Sequence, residues 1–298
     1  MSGSVASIRP LPTFYSIEVV VNKYFANHWI DAVKQDRGWR STVRNKLRLA
    51  YLDFHSLFSR PSGNFLRCVY LHYVFDEQLC GFEDILTRLK DFGEFVSTDT
   101  VLEVALGIRE IDRRMFHLSF DDGFKNNLTN ALPILKRQNV PALFFVPTSF
   151  IGAEYTAVRD YCVNTAGYLN PVEMMNWSDV KKICDSGFEV GSHTRTHKRL
   201  YGLSPESLYF EIYESKRDIE KNIGGECKYI SWPFGLRSDI DELAFSEIRS
   251  AGYRGCFSAC RGEVTCGKTD ALSIPRHHFE PHWPANHVIC FANGFWEH

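Results

Sequence analysis

The sequence predicts an α/β fold built on a mainly parallel sheet, on three observations. From residue 65 onward, apolar runs of strand length alternate with amphipathic stretches of helix length, the rhythm of βαβ units. Two polar clusters rich in metal-ligating side chains each follow directly on an apolar run, at the strand end where α/β sheets carry their sites. The chain has 298 residues, 44% hydrophobic and 14% aromatic, which is long enough for one barrel and rich enough for its core.

The elements follow in order. Residues 14–58 read as helical. From Thr42 on, Val43, Leu47, Ala50, Phe54 and Leu57 recur at helical spacing, while Arg37, Arg40, Arg44 and Arg48 stripe another face. Ser59-Arg60-Pro61-Ser62-Gly63 reads as a linker. It divides the chain into an N-terminal helical extension, 1–61, and a main domain, 62–298. A strand at 65–74 opens the domain, followed by a helix at 82–92, a strand at 115–120, a helix at 126–138 and a strand at 141–146. Residues 147–176 are an aromatic, irregular insertion, either a substrate-facing lid or a covering loop. A helix at 177–186, a strand at 187–191, a helix at 205–223, a strand at 228–232 and a helix at 239–251 come next. Short strands near 253–257 and 272–279 finish the domain.

A net charge of −2 gives no global attraction to nucleic acid. The charge is unevenly placed: residues 1–61 hold nine Lys/Arg against four Asp/Glu, and the remainder is net −7. The arginine stripe reads first as the solvated side of a helix packed on the domain. Its second reading is a peripheral contact with a membrane or a lipid-linked glycan. The N-terminus has no apolar h-region, no run approaches bilayer-spanning length, and the nine cysteines are scattered singly, as reduced thiols would be. These features predict a cytoplasmic protein, peripheral at most to the inner face of the membrane. The oligomeric state is not legible.

The chemistry concentrates first at Asp121-Asp122, set between the apolar run Phe116–Phe120 and Gly123. Two like charges in a semi-buried position are costly unless a cation compensates, so the pair reads as a solvated turn or as a metal site. Some 70 residues on, His193-Thr194-Arg195-Thr196-His197 follows another apolar run. Two histidines four apart are expected on one face of a helical turn, a spacing suited to a divalent metal, although such pairs also occur as surface or core residues. Imidazole suits zinc and neighbouring transition metals, and a carboxylate completes a set of three.

These residues resemble a family. Ser119-Phe120-Asp121-Asp122-Gly123 with His193-Thr194-Arg195-Thr196-His197 is similar to the first two motifs of polysaccharide deacetylases with the NodB-homology domain, carbohydrate esterase family 4. Trp232-Pro233-Phe234-Gly235 resembles the third motif, Leu272-Ser273-Ile274-Pro275-Arg276 the last, and Tyr70-Leu71-His72-Tyr73-Val74 the opening strand of one branch. The likeness extends over about residues 65–280. It implies a distorted, incomplete (β/α) barrel of the polysaccharide deacetylase type. It implies that Asp122, His193 and His197 bind one divalent metal, zinc in the first place with cobalt or nickel as alternatives. Asp121 would then be the base that takes a proton from metal-bound water, and the backbone N–H of Phe234 would stabilise the oxyanion. Many members carry an arginine just before the proline of the third motif; Ser231-Trp232-Pro233 offers none, so Arg276 is assigned to orient Asp121. Residues two apart on a strand share a face, which puts His278 with Arg276 and His277 opposite. His278 is the first choice of general acid, with His72 and His282 behind it.

The implied activity is hydrolysis of an N-acetyl group from an amino sugar of a cell-surface glycan or glycan precursor. The alternatives are hydrolysis of another C–N amide (a formamide, a cyclic amide or a non-sugar amine) and a catalytically silent carbohydrate-binding protein.

Overall fold

A computed structural model describes residues 24–33, 51–52, 63–292 and 294. Most of the expected 14–58 helix, with its arginine stripe, lies outside the described residues; inside them a short helix spans Trp29–Ala32. The sheet has eight strands: β1 (Phe65–Leu71), β2 (Glu94–Phe95), β3 (Arg114–Phe120), β4 (Ala142–Val146), β5 (Glu189–Ser192), β6 (Tyr229–Ser231), β7 (Gly255–Phe257) and β8 (Arg276–His278). They run parallel in the order β7-β6-β5-β4-β3-β1-β8, with β2 on the start of β3. The two ends of this order approach each other. Phe257 of β7 bridges Ile274, two residues before β8, and the Ile274 N–H donates to the Cys256 carbonyl at 2.9 Å. The result is a nearly closed barrel with helices outside, as predicted.

Alternation along the strands sorts the core into two shells. On β3, Phe116, Leu118 and Phe120 face outward into the layer shared with the helices. Met115 faces inward with Leu66, Cys68, Leu143, Phe145, Tyr229, Phe257 and Ile274. The interior is therefore a packed floor below the rim, and each large apolar side chain buried there contributes about 1.5–3 kcal/mol. Gly191 of β5 belongs to this crowding: a Cβ there would lie 2.7 Å from the Phe145 ring and 2.8 Å from the Tyr229 carbonyl oxygen.

Helix Leu79–Phe92 buries Phe82, Ile85, Leu86 and Leu89, the i, i+3, i+4, i+7 stripe of an amphipathic helix. Helix Pro205–Ile223 matches its expected bounds. Ser204 caps it, Pro205 starts it, and Gly224 at φ 75° ends it. Among the described residues, three α-helices depart from the expectation: Thr98–Ala105, Tyr155–Asp160 within the insertion, and Ala285–Ala292. The first is rich in weak helix formers, Thr-Asp-Thr-Val, and is held instead by the Ser97 cap and by Val101, Leu102, Val104 and Ala105 joining the inner core. Among the described residues, no helix is long and apolar enough to cross a membrane.

Candidate active site

Because every strand runs the same way, the segments after β1, β3, β5, β6 and β8 all emerge at one rim. They enclose a cavity of about 280 Å³ lined by Asp121, Asp122, His193, His197, Arg276 and His278, among others.

Asp121 and Asp122 are neighbours, and on a continuing strand they would point to opposite sides. Asp122 instead takes φ 72° and Gly123 φ 69°. That left-handed turn, which aspartate and glycine tolerate best, brings both carboxylates into the cavity. Asp121 continues the inward face of Ser119 and is clamped by Arg276, whose Nη1 and Nη2 donate to Oδ1 and Oδ2, both at 2.8 Å. The remaining guanidinium hydrogens go to Ser119 Oγ (3.0 Å), Ser231 Oγ (2.7 Å) and the Ser258 carbonyl (2.7 Å), so all five donors are used. The guanidinium also lies over Tyr70, 4.2 Å from the ring centroid. Burial works against the charge on Asp121, but Arg276 together with His193 and His72 outweighs it and holds the carboxyl below its usual range.

The expected helical turn at His193–His197 is absent. Residues 193–200 form a loop in which Thr194 and His197 adopt φ 61° and 58°. The two imidazoles still converge. His193 Nδ1 donates to the Ser231 carbonyl at 2.7 Å, which leaves Nε2 without its proton and facing the cavity. Burial, opposed by Asp121, lowers the pKa of this imidazole to about 4, so it is neutral at pH 7. Its Nε2 lies 3.7 Å from Asp122 Oδ1, and His197 Nε2 lies 3.4 Å from the same oxygen. Asp122 Oδ1 is buried with no hydrogen-bond partner. Burial alone would raise the Asp122 pKa, yet the surrounding His197, His72 and His193 hold it well below the carboxylate range.

These separations fit a shared cation. Two ligand atoms each about 2.0–2.1 Å from one tetrahedral ion stand about 3.4 Å apart. The ligand atoms of Asp122, His193 and His197 all lie within 4.8 Å of one another, and all three residues are buried. The orphaned carboxylate oxygen and the free imidazole lone pair supply what a divalent ion needs.

The other predicted residues sort clearly. Phe234 follows Pro233 at φ 63°, lines the cavity and packs its ring 5.1 Å from that of His197. Among the described residues nothing accepts its backbone N–H. His278 lines the cavity on the same side of β8 as Arg276, while His277 turns away and accepts from the Gly262 N–H. His278 Nε2 is 3.2 Å from Glu280 Oε1, and its ring is 5.2 Å from that of His72, which also lines the cavity. His282 is outside, packed on Trp29 at 4.2 Å and near Gln78.

Sequence reasoning missed several contributors. The Tyr168 hydroxyl donates to Asp122 Oδ2 at 3.2 Å, and the Tyr161 ring stands 5.3 Å from His197. The insertion is thus the wall behind the Asp122 carboxylate. Val33 extends that wall, tied to the insertion by Leu169 N–H donating to the Ala32 carbonyl at 2.7 Å. Ser119 had a legible signal, two residues before Asp121 on the same strand face. Ser231, Tyr168 and Val33 had none.

The family model described as polysaccharide deacetylase matches residues 109–256, which include Asp121, Asp122, His193, His197 and Phe234. The poly-beta-1,6-N-acetyl-D-glucosamine N-deacetylase of Staphylococcus aureus is 27% identical over 173 residues, 55% of this chain and 54% of that protein. The chain spans about half the length of the curated relatives it matches. Among solved structures, IcaB from Ammonifex degensii has a TM-score of 0.63 at 21% identity, over 78% of this chain and 98% of that one. The Streptococcus pyogenes deacetylase PplD, solved in complex with acetate, also has a TM-score of 0.63, at 18% identity over 76% and 98%. These two likenesses establish the fold.

Proposed function

Starting from the membership of this chain in the polysaccharide deacetylase family, we propose that it is a metal-dependent hydrolase that removes an N-acetyl group from an amino sugar of a cell-surface glycan or glycan precursor. One observation carries the reading: Asp122, His193 and His197 converge on one point, beside an Asp121 carboxylate clamped by Arg276. A divalent ion held by those three residues, zinc first with cobalt or nickel as alternatives, supplies Lewis acidity that lowers the pKa of water to about 7 and polarises an amide carbonyl.

The chain's own groups do the rest. Asp121 accepts the proton of the attacking water; Arg276 keeps its carboxylate ionised and fixes its plane. The Phe234 N–H donates to the oxyanion as it develops. His278 delivers a proton to the departing amine, with Glu280 beside it at 3.2 Å. His72, also in the cavity, is the second candidate for that step.

The name of the S. aureus relative makes β-1,6-linked N-acetylglucosamine oligomers the first substrate to test. The assay measures acetate release from N-acetylated oligosaccharides and sugar nucleotides, with zinc, cobalt and nickel supplied separately. Asp122→Asn is expected to lose the metal. Asp121→Asn is expected to keep it and to lose about 10²–10⁴-fold in kcat, the usual contribution of a positioned base. Metal loss in Asp121→Asn would reverse the two roles. A fully metallated wild type that releases no acetate from any of these compounds would sink the proposal.

A further inference from the structure

We infer that Glu211, on the helix Pro205–Ile223 behind the site, is a positioning residue that holds the His193–His197 loop in its ligand-presenting shape. This rests on the metal-site reading above. A helix would have tied the backbone between the two histidines with its own hydrogen bonds. No helix forms there, and two of the N–H groups between the ligands, those of Arg195 and Thr196, are taken up by one side chain. Glu211 Oε2 accepts from the Arg195 N–H at 3.1 Å and from the Thr196 N–H at 2.7 Å, while Oε1 accepts from the Thr196 hydroxyl.

Three further observations make this a device for the ligands. Glu211 is 1% exposed. A buried carboxylate is expensive to keep, and an apolar residue would fill the same space at lower cost, so retaining the charge needs a reason. Its acceptors are spent on the two residues midway between the ligands, while the Arg195 guanidinium reaches other carboxylates, Asp218 at 3.4 Å and Glu214 at 3.9 Å. The loop also needs external support, because Thr194 and His197 hold left-handed φ values that side-chain-bearing residues resist. Ser215, one turn after Glu211 on the same helix face, completes the support: its hydroxyl meets Ser192 Oγ at 2.7 Å, and Ser192 Oγ accepts from the Thr194 N–H at 3.0 Å. Residues 192–196 are thus hung from two polar side chains of one rigid helix. Outer partners of this kind orient metal ligands before the ion arrives.

The test uses the full chain, stripped with chelator and titrated with zinc and then cobalt. Wild type, Glu211→Gln, Glu211→Ala, Asp122→Asn and a stability control, Ile212→Val, are compared below their melting temperatures. Ile212 is a fully buried core neighbour of Glu211, so its truncation lowers stability without touching the loop. Glu211→Ala is expected to weaken zinc binding about 10–100-fold and to shift the visible band of the cobalt-loaded protein. Glu211→Gln, which keeps an acceptor for both N–H groups, is expected to fall in between, and Ile212→Val to bind as wild type does. A folded Glu211→Ala with wild-type zinc affinity and an unchanged cobalt spectrum overturns the role of Glu211 alone. If Glu211→Ala does not fold, Glu211→Gln decides: several-fold weaker binding supports the inference, and wild-type affinity overturns it. A wild type that takes up no stoichiometric metal brings down the metal site and this inference together.

Discussion

Replacing Arg276 by methionine strands a buried charge. Arg276 is 1% exposed, and its two terminal nitrogens each donate to Asp121, which is itself 3% exposed. A methionine side chain is apolar and flexible enough to fill the space over Tyr70 and Phe145, so the main loss is the cation rather than volume. Removing one partner of a buried ion pair costs about 3–5 kcal/mol, because the other charge stays desolvated and unpaired. In a domain of this size each kcal/mol lowers Tm by roughly 2–4 °C, so Arg276→Met should melt roughly 6–20 °C below wild type. Adding Asp121→Asn removes the stranded charge and should restore part of the loss. The assay is a double-mutant cycle on chelator-treated protein, with unfolding followed by circular dichroism at pH 7. A coupling of about 2 kcal/mol or more is expected. Against the opposing effect of burial, Arg276 together with His193 and His72 holds the Asp121 pKa below its usual 3.8. The pair's contribution is therefore present above pH 3.8 and fades as the pH falls through the lower, folded-state value. An Arg276→Met protein within about 1 kcal/mol of wild type, or a strictly additive cycle, would refute the clamp.

Two further outcomes follow from the same geometry. His117 sits inside the barrel, stacked on Phe257 and bonded to Thr98 Oγ1, and burial, with a smaller effect from Arg276, lowers its pKa from 6.5 to about 3. Below pH 6.5 the unfolded chain takes up a proton that the folded chain refuses until about pH 3, so stability falls with pH by up to about 1.4 kcal/mol per unit across that window. Urea midpoints between about pH 4.5 and 7 should show a shallower slope in His117→Gln, and an unchanged slope would contradict the assignment. Gly235 has φ 73°, and a Cβ there would fall 2.4 Å from that of Ala259. Gly235→Ala should displace the Phe234 N–H, keep metal binding, and cut kcat by about 100-fold or more, the usual cost of losing an oxyanion donor; wild-type turnover would remove Phe234 from the proposed site.

The strands and the chemistry were legible because both depend on local pattern. Apolar runs of strand length set β1, β3, β4, β5 and β6, parallel order sent the segments after them to one rim, and the residue types at 121, 122, 193 and 197 marked a candidate metal site that the structure brings together. The helix Thr98–Ala105 was not legible, since tertiary packing overrode weak propensity there. The same limit applied at the site itself. Spacing alone predicted a helical turn for His193 and His197; the structure reached the same convergence through two left-handed residues, pinned by a glutamate from a separate helix. Strand alternation would have sent Asp122 away from Asp121, and one positive φ reversed it. The clamp on Asp121 comes from 155 residues further along the chain. By itself the sequence determined which groups are present and which edge they leave from. Only the tertiary structure decided how they face one another, because dihedral exceptions and long-range hydrogen bonds depend on where the chain returns, which no local period records.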